Sequence, residues 1–323
     1  MLNVLGGRPS PKILAVAAGS STPNLLLYGM DGVAKIPSPA VSPASTARGV
    51  AFSPDGKMLV VAHATAPFIT IYNTADWTKL ADPASLPPYT ANSVTFSPDG
   101  LKLAVAHNTT PFITVYNTAD WSKIAAPSVL PTGTGYGVAF SPDGTKLAVS
   151  HLNVPVITIY NVSDWSKIAD PATLPSYNGT GVAFSPDGTK LAVAHNQAPF
   201  VTIYNVSGWT KITNPPTLPP NSAYATSFSP DGTKLVVSHA WSPFLTVYNV
   251  SDWSKIADPS VLPGGDITGV AFSPDGTKLA MTSYYNPTIM IYNVSDWSKI
   301  ADPSVLPADA VYAAAFSPTG EMF

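Results

Sequence analysis

One short segment of the sequence, Ser-Pro-Asp-Gly, returns every 44 residues. It begins at Ser53, Ser97, Ser141, Ser185, Ser229 and Ser273, and a variant, Ser-Pro-Thr-Gly, begins at Ser317. A constant period between about 20 and 50 residues is typical of folds that stack one supersecondary unit many times. The repeat therefore limits the architecture more than any other feature of the chain.

Each repeat contains four short segments of β type. The copy from Gly137 to Pro175 contains GVAFS, KLAVSH, VITIYNV and WSKIA, which are rich in Val, Ile, Tyr and Thr and are separated by turn residues. Pro and Gly in Ser-Pro-Asp-Gly suit a tight turn, and the 34 prolines of the chain oppose a helical interpretation. Four antiparallel strands in about 40–45 residues predict a β-propeller blade. We name these strands a to d from the central channel outwards.

The two ends of the chain are complementary. The first repeat, from Lys12 to Ile36, has strands b, c and d but no strand a, whereas Ala313–Phe323 forms a strand a with nothing after it. We predict an all-β fold, a seven-bladed propeller of four-stranded antiparallel blades closed by pairing of the C-terminal strand a with the N-terminal strands b, c and d. An open solenoid is the alternative, although it would normally carry atypical polar caps. The predicted propeller spans residues 12–323, and residues 1–11 form an N-terminal arm outside the pattern.

The segments VAFSPDG, KLAV and IYN resemble the repeats of the WD40-like propeller family over residues 12–323. The chain departs from the standard repeat at two places. IYN stands where a Trp-Asp pair is expected, and the Gly-His pair ahead of strand a is absent. The resemblance implies the propeller architecture but not the hydrogen-bonded tetrad of standard repeats.

The composition excludes several classes of function. Apolar residues make up 45% of the chain, which is typical of globular proteins, but only 11% of residues are charged and the net charge is −3. We therefore expect no nucleic-acid binding. The chain has no cysteine, so disulfides and thiolate metal sites are excluded. No apolar run approaches the roughly 18 residues of a membrane helix, and the start, MLNVLGGRPSP, lacks a secretory signal, so we expect neither membrane insertion nor export by that route.

The histidines follow the repeat, which favours a structural role. His63, His107, His151, His195 and His239 end strand b at intervals of 44 residues. Equivalent atoms in adjacent blades would lie about 10 Å apart, too far to share a metal ion. We interpret the histidines as polar contacts between blades rather than as a metal site or a pH sensor.

Tryptophan and aspartate repeat in the same way. Six tryptophans are assigned to the outer strand, where they pack blade against blade or cover the c–d hairpin; a platform for sugar or protein is the alternative. They are Trp77, Trp121, Trp165, Trp209, Trp253 and Trp297. The aspartates of Ser-Pro-Asp-Gly lack the dense Asp-x-Asp-x-Asp spacing of calcium loops, so we expect them to stabilise turns.

The repeats differ mainly in two loops. These are the b–c loops, such as ATAPF (64–68) and YYNPT (284–288), and the d–a loops, such as PYTAN (88–92) and ADAVY (308–312). An antiparallel blade places both loops on one face, which we call the variable face, and the a–b turns and c–d hairpins on the other, the uniform face. Functional residues concentrate on loops carried by a rigid scaffold. Drift of unconstrained loops after duplication is the alternative explanation.

The candidate binding residues all belong to the variable face. Seven are expected at the channel mouth: Arg48, Asn92, Tyr136, Thr180, Tyr224, Thr268 and Tyr312. Trp241, Tyr284 and Tyr285 add aromatic area, and Asp266 and Asp309 add charge. No nucleophile–base pair and no metal-ligand set can be assigned, so we predict no catalytic residue, no metal and no cofactor.

These patterns favour a non-catalytic scaffold that recognises protein or glycan through the variable face. Closely similar units containing YNVSDWSKIADP resemble propellers among structural proteins of tailed bacteriophages. The resemblance implies a virion component, such as a capsid decoration, tail or fibre-associated protein, with protein partners in a larger assembly and a host-surface glycan as a further candidate. A periplasmic or extracellular enzyme or ligand binder, lactonase-like or TolB-like, is the alternative, and a eukaryotic WD40-type adaptor ranks third. We expect assembly in a bacterial cytoplasm and location in the virion, with a soluble cytoplasmic or extracellular protein as the alternative.

Overall fold

The fold is a closed ring of seven blades around a central channel. A computed structural model describes residues 13–19, 22–30 and 32–318, and the strands among them form seven antiparallel sheets of three or four strands. This confirms the predicted seven-bladed, all-β propeller. The arm predicted for residues 1–11 lies outside the described residues.

Strand a of every blade lines the channel, and strands b and c follow outwards. Taking blade 1 as the blade that contains both chain ends, the a strands of blades 1 to 7 are β23 (Val311–Phe316), β4 (Ala47–Phe52), β7 (Ala91–Phe96), β10 (Gly135–Phe140), β13 (Gly179–Phe184), β17 (Ala223–Phe228) and β20 (Ile267–Phe272). The b strands are β1 (Ile13–Ala18), β5 (Met58–His63), β8 (Lys102–His107), β11 (Lys146–His151), β14 (Lys190–His195), β18 (Lys234–His239) and β21 (Lys278–Ser283). The c strands are β2 (Leu25–Gly29), β6 (Ile69–Asn73), β9 (Ile113–Asn117), β12 (Ile157–Asn161), β15 (Val201–Asn205), β19 (Leu245–Asn249) and β22 (Ile289–Asn293).

The fourth strand is shorter than the sequence predicts. Among the described residues it is a strand only in blade 1, as β3 (Ala34–Ile36), and in blade 5, as β16 (Thr210–Lys211), which follows a 3₁₀ turn at Ser207–Trp209. In the other five blades strand d is reduced to one bridge, such as Tyr72 to Lys79. The chain soon reaches a proline, Pro83 in this repeat, which has no N–H to extend the ladder.

The two chain ends complete one blade, as predicted. Strand β23 pairs antiparallel with β1, with Leu14 opposite Phe316. The backbone N–H of Ser317 donates to the carbonyl of Ile13 at 2.8 Å, and the Ile13 N–H donates to the Ser317 hydroxyl at 3.1 Å. The ring is therefore closed by a seam that joins the first and last described strands.

The hydrophobic core lies between blades rather than within them. Strand b alternates large and small side chains: in blade 3, Leu103 and Val105 face blade 2, whereas Ala104 and Ala106 face blade 4. The described residues form seven such clusters, one at each junction between neighbouring blades. Each blade is thus stabilised mainly by burial against its neighbours.

The tyrosine near the end of each strand c joins its blade to the incoming connection. Tyr116, fully buried, donates its hydroxyl to the carbonyl of Ser85 at 2.8 Å, and the same bond recurs in the other blades. In blade 1, Tyr28 donates to Val305, 277 residues away, at 2.9 Å. Burial raises the pKa of Tyr28 to about 12, so its phenol stays a protonated donor. These bonds hold the connections that lead to the channel-lining strands.

The Ser-Pro-Asp-Gly segments form tight turns on the uniform face. In blade 4 the Gly144 N–H donates to the carbonyl of Ser141 at 2.8 Å, and Gly144 has φ +70°, a conformation that favours glycine. The Asp143 carboxylate accepts hydrogen bonds from the Ser141 hydroxyl and from the N–H and hydroxyl of Thr145. These bonds, the one from Ser141 first, lower the pKa of Asp143 to about 2. The aspartates act in their own turns, as expected.

The tryptophans occupy the c–d turn, not the outer strand to which the sequence assigns them. All six have φ between 51° and 59°. In blade 4, the Trp165 N–H donates to the Asn161 carbonyl at 2.9 Å, and its ring packs against the cluster between blades 3 and 4. This confirms that the tryptophans pack against the blades and do not form an exposed platform for sugar or protein.

The histidines end strand b as predicted, but their hydrogen bonds do not join blades. His107 is fully buried, and its Nε2 lies 3.0 Å from the hydroxyl of Thr114 on strand c of the same blade. The other four histidines make the equivalent contact. This hydrogen bond ties strand b to strand c, and the contact between blades stays a prediction. Within the described residues there is no helix long and apolar enough to cross a bilayer.

Candidate functional site at the channel mouth

The b–c and d–a loops meet on one face, as the antiparallel order requires. The Thr65 N–H of a b–c loop donates to the Ser45 hydroxyl of a d–a loop at 2.9 Å. The rings of Phe68 and Tyr89, from the same two kinds of loop, stack with centroids 6.2 Å apart. The two variable regions therefore form one continuous surface around the channel.

The seven residues predicted at the channel mouth share one structural feature: each is the extra residue of a β-bulge. In blade 2, Ala47 pairs with His63 and Gly49 pairs with Ala62, so Arg48 has no partner of its own on strand b. The pairing shifts in the same way at Asn92, Tyr136, Thr180, Tyr224, Thr268 and Tyr312. A bulge redirects a side chain. All seven residues line one cavity of about 240 Å³ at the mouth.

The three short polar bulge residues bond to the next blade. Asn92 donates to the Gly135 carbonyl at 2.8 Å, and Thr180 donates to the Ala223 carbonyl at 2.8 Å. Thr268 makes the same bond to Val311 at 2.5 Å. Each carbonyl belongs to the residue just before a bulge tyrosine, Tyr136, Tyr224 or Tyr312. The short residues thus position the tyrosines, and their own donors are used.

A polar and aromatic cluster extends from the mouth over blades 6, 7, 1 and 2. The guanidinium carbon of Arg48 lies 5.9 Å from the Tyr312 ring centroid, and Tyr312 meets Tyr284 edge to face at 5.7 Å. The hydroxyl of Tyr224 donates to the Asp266 carboxylate at 3.5 Å. Burial, reinforced by Asp266, raises the pKa of Tyr224, and burial raises that of Tyr284 although Arg48 opposes the shift. Both phenols are therefore neutral hydrogen-bonding groups at neutral pH.

Blade 7 shapes this cluster by departing from the repeat. Ser283 ends strand b where five other blades have histidine. Its hydroxyl donates to the Asp266 carbonyl and accepts the Tyr285 N–H, both at 3.0 Å. A side chain on Gly265 would overlap the Tyr285 ring. Sequence reasoning missed Ser283 and Gly265; the signal for Ser283 was the missing sixth histidine.

Five of the predicted residues do not line the cavity: Trp241, Asp266, Tyr284, Tyr285 and Asp309. Asp309 lies on a d–a loop of the variable face and lines a separate cavity of about 140 Å³ beside blade 1. Trp241 is 66% exposed on the b–c loop of blade 6, with φ +67°. Asp266 lies at the rim beside Tyr224 and does not line the cavity.

Exposed aromatic side chains distinguish the two faces. Among the described residues, those that are strongly exposed all lie in b–c loops, d–a loops or the bulges. They are Tyr89, Tyr136, Tyr177, Trp241, Tyr284 and Tyr285. Tyr89 and Tyr177 were not among the predicted site residues, although both lie in loops recognised as variable.

The site presents groups that bind ligands. It presents phenols, one guanidinium and a rim carboxylate. Within the described part of the chain, no group of three or more His, Cys, Asp or Glu is placed to hold a metal ion. The arrangement can bind a ligand by stacking and hydrogen bonding.

Comparison with known families supports the architecture. The WD40 family model, described as "WD domain, G-beta repeat", matches residues 260–293, which cover the d–a loop and first three strands of blade 7. This match and the seven sheets fit a WD40-like propeller. A comparison with curated proteins gave no match.

Proposed function

We propose that the chain is a non-catalytic binding scaffold of a virion that recognises a protein partner through its variable face. The observation that carries the proposal is the confinement of exposed aromatic side chains to that face among the described residues. Aromatic residues are enriched at the centres of protein interfaces because they bury a large area with few rotatable bonds. WD40 repeats generally mediate contacts between proteins, which supports the same role.

The contact centres on Trp241, Tyr284 and Tyr285. They lie in the b–c loops of two consecutive blades, and the hydrogen bonds of Ser283 and the space at Gly265 fix the position of Tyr285. Preorganised anchors lose little conformational freedom on binding. The virion assignment is supported by the resemblance of the YNVSDWSKIADP units to propellers of tailed-bacteriophage structural proteins.

The first test is the native mass of the protein in its source, measured by gentle size fractionation with mass spectrometry of each fraction. We expect it in particles of megadalton mass together with capsid or tail proteins. A free monomer of 33.7 kDa would overturn the virion proposal.

The second test measures rebinding of purified chain to particles that have been stripped of it. We expect Trp241→Ser and Tyr285→Thr each to weaken binding at least tenfold. Leu101→Thr is the matched control, because Leu101 and Tyr285 are both 58% exposed but Leu101 lies on the uniform face. Equal weakening by the control would refute the variable face as the interface. Binding to particle glycan after protease treatment would assign a glycan instead of a protein partner.

A further inference from the structure

Arg48 differs from four of the other six bulge residues in its hydrogen bonding. Asn92, Thr180 and Thr268 donate to backbone carbonyls, and Tyr224 bonds to Asp266. The Nε of Arg48 is buried and has no acceptor among the described residues. A buried N–H without an acceptor is costly, so such a group calls for an explanation.

No carboxylate neutralises Arg48 within the described structure. The ion pairs found there join a lysine and an aspartate three residues apart on the outer segments, such as Lys79 and Asp82 at 2.7 Å. The Tyr312 ring lies over the guanidinium, with its centroid 5.9 Å from the guanidinium carbon, so this contact is with the ring face and supplies no carboxylate. Asp266, the rim carboxylate, is turned to Tyr224.

The cavity around Arg48 is suited to a small anion. Arg48 is the one charged side chain among the described residues that line it. Tyr136 and Tyr312 add phenol groups to the same lining. The volume of about 240 Å³ corresponds to roughly eight water molecules at their volume in the liquid. This is enough for a carboxylate group and the few carbon atoms next to it.

We propose that the channel mouth binds one carboxylate group through the guanidinium of Arg48. The planar fork of arginine matches the two oxygens of a carboxylate, and one guanidinium balances one negative charge. A phosphate dianion would leave charge uncompensated. The inference goes beyond the proposed function and does not depend on it, because a small carboxylate can bind without a macromolecular partner.

Nuclear magnetic resonance gives a direct test on the full chain. The sequence has two arginines, Arg8 and Arg48, so two Nε–H resonances are expected and Arg48→Met assigns them. Titration with sodium propionate at constant ionic strength should shift the Arg48 resonance saturably. Sodium chloride should not. Absence of a saturable shift, or an equal shift with chloride, would overturn the proposal.

Variants of Arg48 separate the contribution of the planar guanidinium from that of its positive charge. Propionate binding is measured by saturation transfer to the ligand. Arg48→Lys should weaken it at least tenfold, because lysine keeps the charge but loses the planar fork. Arg8→Lys is the control and should change it less than twofold. Thermal melting confirms that both variants fold. Equal binding by Arg48→Lys, or tighter binding of inorganic phosphate than of propionate, contradicts a carboxylate site.

The source of the carboxylate is distinguished by a pair of blocked peptides, Ac-Gly-Glu-Gly-NH₂ and Ac-Gly-Gln-Gly-NH₂. Tighter binding of the glutamate peptide than of propionate would indicate an acidic side chain of a partner, and the opposite order a free small carboxylate; both support the site. Equal binding of the two peptides, with no effect of Arg48→Lys, would refute it.

Discussion

The uniform and variable faces are formed by opposite ends of the same strands, yet their polar side chains bond differently. On the uniform face, Ser141 and Asp143 are satisfied within one turn. On the variable face, Thr180 reaches the carbonyl of Ala223 in the next blade, and Arg48 has no acceptor at its Nε within the described residues. A turn that satisfies itself can be copied unchanged from blade to blade. The variable-face residue Thr180 instead bonds the backbone of the next blade, so it links two blades rather than stabilising one turn.

The largest effect is expected from opening the seam, which both faces share. Deleting residues 313–323 removes most of β23, exposes the edge of β1 and breaks the clusters on both sides of blade 1. We expect aggregation or a large fall in melting temperature. Size exclusion and thermal melting measure this, and a truncated chain that melts like the full-length protein would disprove closure.

Acid should lower the free energy of unfolding in two separate pH ranges, one set by groups near each face. Burial lowers the pKa of His107 and of His195, near the variable face, from 6.5 to about 4. Between these values the unfolded chain binds protons that the folded chain does not, so stability is complete above pH 6.5 and falls towards pH 4. The loss approaches about 3 kcal/mol for each of these two histidines. Asp143 on the uniform face adds a further loss only between pH 3.8 and about 2.

Urea unfolding at a series of pH values would measure both windows. His107→Asn should reduce the loss between pH 6.5 and 4 and leave the loss at lower pH unchanged. Stability that stays constant from pH 7 to pH 4.5 would contradict the assignment of the histidines as buried and neutral.

A smaller effect is expected from the uniform-face turn. The buried hydroxyl of Ser141 accepts the Lys146 N–H at 2.9 Å and donates to Asp143. Ser141→Ala leaves that N–H without its acceptor, so we expect a loss of about 2 kcal/mol in the free energy of unfolding. Carboxylate binding at the channel mouth should be unchanged; a loss of binding would show that the two faces are coupled.

The smallest effect on stability is expected from the equivalent test on the variable face. Thr180→Val keeps the side-chain shape and removes the hydrogen bond to Ala223, which should cost about 1 kcal/mol. Because this bond lies just before Tyr224, the Tyr224 ring resonances should also broaden or shift. Unchanged Tyr224 resonances would show that the short bulge residues do not position the tyrosines.

The repeat period made the fold predictable because every local pattern agrees with it: the turn chemistry, the strand segments and the complementary ends. Two details of the fold could not be predicted from the sequence. The outer strand shortens to one bridge near Pro83, and Trp165 adopts a left-handed conformation in the turn. Both depend on the local backbone conformation of a few residues, which a β-type composition does not specify.

The candidate site was predictable in position but not in bonding. Spacing placed Arg48 and Tyr312 at the mouth, because equivalent residues of a repeat occupy equivalent positions. The bond from Thr180 to Ala223 and the stacking of Arg48 on Tyr312 are contacts between blades, and the bulges are irregular pairings of strands a and b within a blade. They depend on side-chain directions in the assembled ring, which one repeat does not encode.

The number of blades has a consequence for the mouth. Around the ring, a short residue that holds a carbonyl and the tyrosine that follows it form a two-blade unit, and three such units use six blades. An odd ring cannot be tiled by twos, so one position is left over, and Arg48 occupies it between Tyr312 and Asn92. Arg48 is thus the one bulge residue outside these pairs, and the mouth does not share the sevenfold symmetry of the scaffold. We expect a ligand that binds Arg48 to occupy one site per propeller, because Arg48 occurs once in the ring.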